Sequence, residues 1–158
     1  MKKLSNHLRK GFTLIELLVV IGILAVLLAI TLIAINPAKQ FSQANNTQRS
    51  SDVNAILNAV HQYSADNAGD LSALAIPDTV AGAALIGDEV GEVDLCTLVP
   101  EYLAALPADP LTGDAVDEAA CTAGGYSTGY SVVTSTTNNR ITVDAPSVEL
   151  GAVIQATR

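Results

Sequence analysis

From Phe12 to Ile35 the chain reads FTLIELLVVIGILAVLLAITLIAI, an apolar run of 24 residues interrupted by one charge, Glu16. A helix of that length, at about 1.5 Å per residue, reaches roughly 36 Å, enough for a hydrocarbon core of about 30 Å. Asn36-Pro37 comes next. Proline lacks an amide donor and clashes with the carbonyl four residues back, here Ile33, which predicts a kink or local unwinding. The pattern then turns polar through Lys39, Gln40, Ser42, Gln43, Asn45, Asn46, Gln48 and Arg49. Helical periodicity returns with Val53, Ile56, Leu57, Val60 and Tyr63 or Ser64, one apolar stripe on an otherwise polar helix. Asp66-Asn67-Ala68-Gly69-Asp70 is a stop and turn signal. The pattern predicts one long bent helix from about Phe12 to about Ala65, its second half offering a single face to a globular head.

The remaining residues, 66–158, pattern as that head. Ser72 to Gly91 is rich in small residues and predicts loop with a short helix. Leu95 to Leu103 reads as partly helical, and Asp109-Pro110-Leu111-Thr112-Gly113-Asp114 as a turn. Gly129–Thr134 and Arg140–Asp144 alternate as strands, joined through Ser135–Asn139 as a hairpin, and Val148–Ile154 is a candidate third strand. An antiparallel sheet laid on an amphipathic half-helix gives an α+β fold.

Composition sharpens the division. Apolar residues make up 49%, mean hydropathy is +0.37 and only 15% of residues are charged, which excludes a disordered chain. The formal charge of −8 hides a split: Lys2, Lys3, Arg9 and Lys10 precede the apolar run, and every acid lies from Glu16 onward. A body that acidic repels phosphate, so a nucleic-acid partner is not expected. Basic residues ahead of a membrane span predict an amino end inside and a body outside. An ordinary secretory signal fits poorly, because the apolar run is too long and no A-x-A-like site closes it. A plain signal anchor would leave Glu16 unexplained. A carboxylate in an apolar helix costs about 2.5–3.5 kcal/mol at mid-bilayer and calls for a partner. No Lys or Arg lies between Lys10 and Lys39, but cutting the chain before Phe12 would create an amine.

At these residues a family resemblance is plain. Lys10-Gly11-Phe12-Thr13-Leu14-Ile15-Glu16 resembles the cleavage and methylation motif of bacterial type IV prepilins and type II secretion pseudopilins. The resemblance implies cutting between Gly11 and Phe12 by a membrane aspartyl prepilin peptidase, which also methylates the new amine of Phe12. Glu16 becomes the fifth mature residue, where the family places its assembly carboxylate, paired with the Phe12 amine of a neighbouring subunit. It further implies a leader at 1–11, a transmembrane and filament-core helix at 12–35, an amphipathic continuation at 36–65 and an extracytoplasmic head at 66–158. The sequence departs from many type IVa pilins in having Ile33, not proline, late in the apolar segment, with Pro37 just past it.

Catalytic constellations are weak. His7 falls in the expected leader, which leaves His61 on the helix, and no Ser/His/Asp or multi-histidine set assembles. Gly124-Gly125 lacks the strand–loop–helix setting of a phosphate loop and reads as turn glycine. Asp109, Asp114, Asp117 and Glu118 are calcium candidates, as some pseudopilin heads bind calcium near such a loop. Their spacing is not that of an EF-hand, and a solvated acidic face explains the same residues. Cys96 and Cys121, both in the extracytoplasmic part, are expected to pair as a disulfide, against the alternative of two buried thiols. The resulting expectation is a structural filament subunit, not an enzyme, without a cofactor unless calcium binds. Its partners are further copies, other pilins, the prepilin peptidase, the membrane and an assembly platform. A secretion or DNA-uptake pseudopilin is the alternative within the family, and a signal-anchored adhesin or enzyme the alternative outside it.

Overall fold

Helix α1 spans Leu14–Ile35 in the computed structural model, which describes residues 11–114 and 116–158. Leucine, isoleucine, valine and alanine dominate its sequence and no residue along it is buried. With 22 residues and a mean hydropathy of 3.2, it is long and apolar enough to cross a membrane. The helix stops because Asn36 turns left-handed (φ 47°, ψ 77°), a conformation asparagine tolerates better than most residues. Helix α2, Pro37–Asp66, begins at once. Proline is well placed there, since the first helical position needs no amide donor. The Asn36 carbonyl accepts from the Lys39 and Gln40 amides at 3.1 and 3.4 Å. The single bent helix expected from pattern is therefore two helices parted by one unwound residue.

The chain divides into two compact units, one ending at Gln40 and the other running Phe41–Arg158. In the second unit the predicted stripe of α2 is the buried one: Val53, Ile56, Leu57 and Val60, with Ala59, belong to the core. Four antiparallel strands lie in the order β1-β2-β3-β4: Ala84–Gly87, Ser127–Thr134, Ile141–Asp144 and Gln155–Thr157. Alternation sets the inner face of the central pair. Tyr130 and Val132 of β2 and Ile141 and Val143 of β3 are buried in the same cluster as the α2 stripe, with Leu74, Leu95, Leu98 and Leu106. The expected hairpin is present, with Thr134 opposite Ile141 and Val132 opposite Val143.

Four segments differ from the pattern. The third strand expected at Val148–Ile154 is a turn, and pairing starts at Gln155. Leu150 and Gly151 take positive φ (58° and 67°), and Glu149 is tied to α2, so the backbone there is not extended. Strand β1 comes from the segment expected as loop, which also carries a short 3₁₀ turn at Ser72–Leu74. Ala84, Leu85 and Gly87 pair with Val132, Ser131 and Ser127, so tertiary pairing overrides a weak local signal. A short helix α3, Glu118–Ala123, is also new, and Asp117 caps it by accepting from the Ala120 amide at 2.9 Å. The helical character expected over Leu95–Leu103 reduces to a 3₁₀ turn at Cys96–Leu98. Cys96 and Cys121 form a disulfide that joins this turn to α3 across 25 positions of sequence.

Candidate functional site

Gly11, Phe12 and Thr13 precede α1 without regular structure, and Phe12 is 87% exposed. A Cβ built on Gly11 meets nothing within 4 Å. The chain itself thus has room for a larger residue at Gly11. The basic residues Lys2, Lys3, Arg9 and Lys10, and His7, lie outside the described residues.

Thr13 has an extended backbone (φ −81°, ψ 152°) and caps α1. Its hydroxyl accepts from the Glu16 amide at 3.3 Å and donates to Glu16 Oε2 at 2.7 Å, while its own amide donates to the same oxygen at 2.8 Å. Threonine followed three residues later by glutamate is a capping box, and the carboxylate lies at the positive end of the helix dipole. The sequence carried this signal in Thr13-Leu14-Ile15-Glu16, and the reading of Glu16 as a carboxylate lacking a partner passed over it. Glu16 Oε1 has no hydrogen-bond partner among the described residues. One oxygen holds the helix end and the other accepts no hydrogen bond among the described residues.

The calcium candidates are not gathered into one place. Asp109, almost fully buried, faces Arg49 of α2, which is wholly buried. Arg49 Nε donates to Oδ2 at 2.6 Å and Nη2 to Oδ1 at 3.2 Å, a two-pronged pair. The amides of Leu111 and Thr112 donate to Oδ1 at 2.9 and 3.1 Å. Burial alone would raise the Asp109 pKa, but Arg49 and these two amides hold the carboxyl below its usual range. The same pairing raises the Arg49 pKa against the opposing effect of burial. Asp114 sits 3.4 Å from the Ser127 amide, Asp117 is the cap of α3 and Glu118 is the first residue of that helix. No group of three or more His, Cys, Asp or Glu side chains is placed to hold a metal ion among the described residues. His61 Nε2 is buried without a partner there.

Arg49 belongs to a wider polar clamp that pattern reading missed. Its Nη1 donates to Asn46 Oδ1 at 3.0 Å and to Glu149 Oε2 at 3.1 Å. Glu149 also accepts from Asn45 Nδ2 (2.9 Å) and Ser42 Oγ (2.8 Å), and these bonds with Arg49 hold its pKa below the ordinary value. The loop around Asp109 packs tightly enough to require glycine twice. A Cβ on Gly113 would collide with the Thr128 carbonyl, and Gly129 combines φ of 77° with contact to Asp109 and Thr112.

Residues 6–32 match the family model described as the prokaryotic N-terminal methylation motif. The chain carries that motif. The motif covers about a sixth of the chain and contains Gly11, Phe12, Thr13 and Glu16. It supports a type IV pilin-like or pseudopilin precursor, suggests a structural protein and implies processing by a prepilin peptidase. A methylation motif opening an apolar helix of 22 residues fits a membrane-anchored protein. The architecture, a long apolar helix, a further helix and a small antiparallel sheet, is α+β and pilin-like. Neither the comparison with curated proteins nor that with solved structures returned a match.

Proposed function

We propose that the chain is the precursor of a structural subunit of a type IV pilus or pilus-like filament, inserted with its amino end inside and its head outside. The peptidase removes Met1–Gly11 and methylates the amine of Phe12. Loss of the four leader cations Lys2, Lys3, Arg9 and Lys10 takes the formal charge from −8 to −12, which suits a soluble filament surface. The observation that carries the reading is the arrangement at the start of α1: an exposed Gly11-Phe12 bond directly ahead of an apolar helix whose Glu16 keeps one oxygen without a partner among the described residues. In a dry bundle of such helices an unpaired carboxylate is costly, and an amine from the next subunit offsets much of that cost. Only a subunit docked at the correct axial step brings its Phe12 amine to Glu16, so the pair acts as a register check. Electron microscopy of sheared cells with mass spectrometry of the filaments tests this. A helically repeated subunit of this mass supports it, and a monomer left in the membrane supports a signal-anchored adhesin or enzyme instead. Deleting the gene and scoring secretion and DNA uptake separates a pilus subunit from a pseudopilin.

A further inference from the structure

We propose that a cleft in the head, between the connection leaving α2 and the turn end of the β2–β3 hairpin, binds a neutral sugar residue. The cleft encloses about 320 Å³, near the lower end of the range for small-molecule sites. Leu71 and Ile76, both half-buried, give it an apolar floor, and Ser72, Asp78, Thr134 and Asn139 give it a polar rim.

Its two walls are fixed to each other by backbone bonds. The Thr134 amide donates to the Pro77 carbonyl at 2.8 Å, and the Thr134 carbonyl accepts from the Thr79 amide at 2.9 Å. Two lining residues other than glycine, Ala75 and Asn139, hold positive φ of 48° and 55°. Such backbone is strained, most of all for alanine, and clusters where a structure shapes a ligand site.

The rim chemistry selects the ligand. The Thr134 hydroxyl and the side-chain amide of Asn139 make no hydrogen bond to protein among the described residues, while the Ser72 hydroxyl is shared with Asp70. Together they offer donors and acceptors on one concave surface. Asp78 is the single charged residue of the lining, which disfavours phosphate or carboxylate ligands. Its Oδ1 already accepts from the Val80 and Ala81 amides, at 3.0 and 2.9 Å. One remaining carboxylate oxygen is too few for a hard cation, which takes six to eight oxygens. An apolar floor under a ring of hydroxyl and amide groups instead matches the C–H face and hydroxyl edge of a pyranose. The inference concerns the head alone and does not depend on which filament the subunit enters.

The experiment is NMR on the full processed chain in a sugar-free zwitterionic detergent, titrated with galactose, glucose and N-acetylglucosamine, and separately with phosphate and acetate. The expected result is saturable shifts of the Ser72, Ile76, Thr134 and Asn139 amides with at least one sugar, in the millimolar range typical of contacts worth about 4 kcal/mol. Phosphate and acetate leave these amides unmoved. Thr134→Val keeps the side-chain shape and Asn139→Gly keeps the positive φ, and each weakens sugar binding about tenfold, as for losing one bond of about 1.4 kcal/mol. Melting temperatures of the two variants establish that the head is folded. Absence of saturable shifts with all three sugars, equal response to the anions, or unchanged binding in both folded variants overturns the proposal.

Discussion

Under the proposed function Glu16 has two roles that can be separated by substitution. Its Oε2 closes a capping box with Thr13, and its charge is what an incoming amine would recognise. Glu16→Ala removes both, whereas Glu16→Gln retains an acceptor for Thr13 and loses only the charge. Loss of a cap costs about 1 kcal/mol, small beside the packing of a membrane helix. Both variants are therefore expected to insert and to be cut before Phe12, and both to fail in assembly, as read by the ratio of filament to membrane-held protein. If Glu16→Gln assembles like the parent while Glu16→Ala does not, the acid matters as a cap and the pairing account fails. A second residue-scale prediction concerns Asp109. Asp109→Ala strands the buried Arg49 guanidinium and should lower stability by about 3–5 kcal/mol in thermal or denaturant unfolding. The pH dependence has a definite sign. The folded pKa values of Asp109 and Glu149 are depressed, so their contribution is complete above the unfolded values of about 4 and is lost as pH falls through the folded ones. Asp144 works the other way: burial raises its pKa, so acid relieves a cost there. The parent should lose stability below about pH 4, with a shallower acid dependence in Asp109→Ala. An acid profile of equal slope in the two proteins would contradict the assignment.

Among the elements, those built on strong periodicity were legible and those defined by long-range pairing were not. The apolar run of α1 and the stripe Val53, Ile56, Leu57 and Val60 of α2 announce themselves because burial repeats with the helix period. Arg49 and Asp52 share the buried side of α2 with that stripe, yet as polar residues they read as a solvated face. Their burial depends on partners distant in sequence: Asp109 and Glu149 for Arg49, and the Tyr130 hydroxyl, 2.8 Å from Asp52 Oδ2. Strand β1 was hidden for a similar reason, since it exists as an edge paired to β2 and not as a run of strand-forming residues. The disulfide is an element-scale constraint, tying the 3₁₀ turn at Cys96 to α3. Closing a loop of 25 positions stabilises the head by about 3.5 kcal/mol on the chain-entropy model. Alkylation without reductant should label neither cysteine of the exported protein, and Cys96→Ala/Cys121→Ala should lower its unfolding free energy by several kcal/mol. Labelling of both thiols in the folded parent would refute the bridge.

At the scale of the whole molecule, the chain joins a short processing signal to a helix too apolar for water and a head whose core is its own. The first of these was the most legible, because Gly11-Phe12 and Glu16 stand at fixed spacing on the border of the apolar run. That Thr13 engages a single Glu16 oxygen, leaving the other without a partner among the described residues, was not legible, since it depends on the local cap geometry. The acidic group Asp109, Asp114, Asp117 and Glu118, close in sequence, is divided in space among an ion pair, a turn and a helix cap. Sequence proximity alone could not show that division. The most direct measurement is the intact mass and amino-terminal sequence of the subunit recovered from sheared filaments, compared between the parent and Gly11→Val. The account predicts a parent chain beginning at N-methylated Phe12, with Met1–Gly11 gone, and a Gly11→Val chain that stays uncut and in the membrane. Recovery of assembled subunits that retain Met1–Gly11 would contradict it.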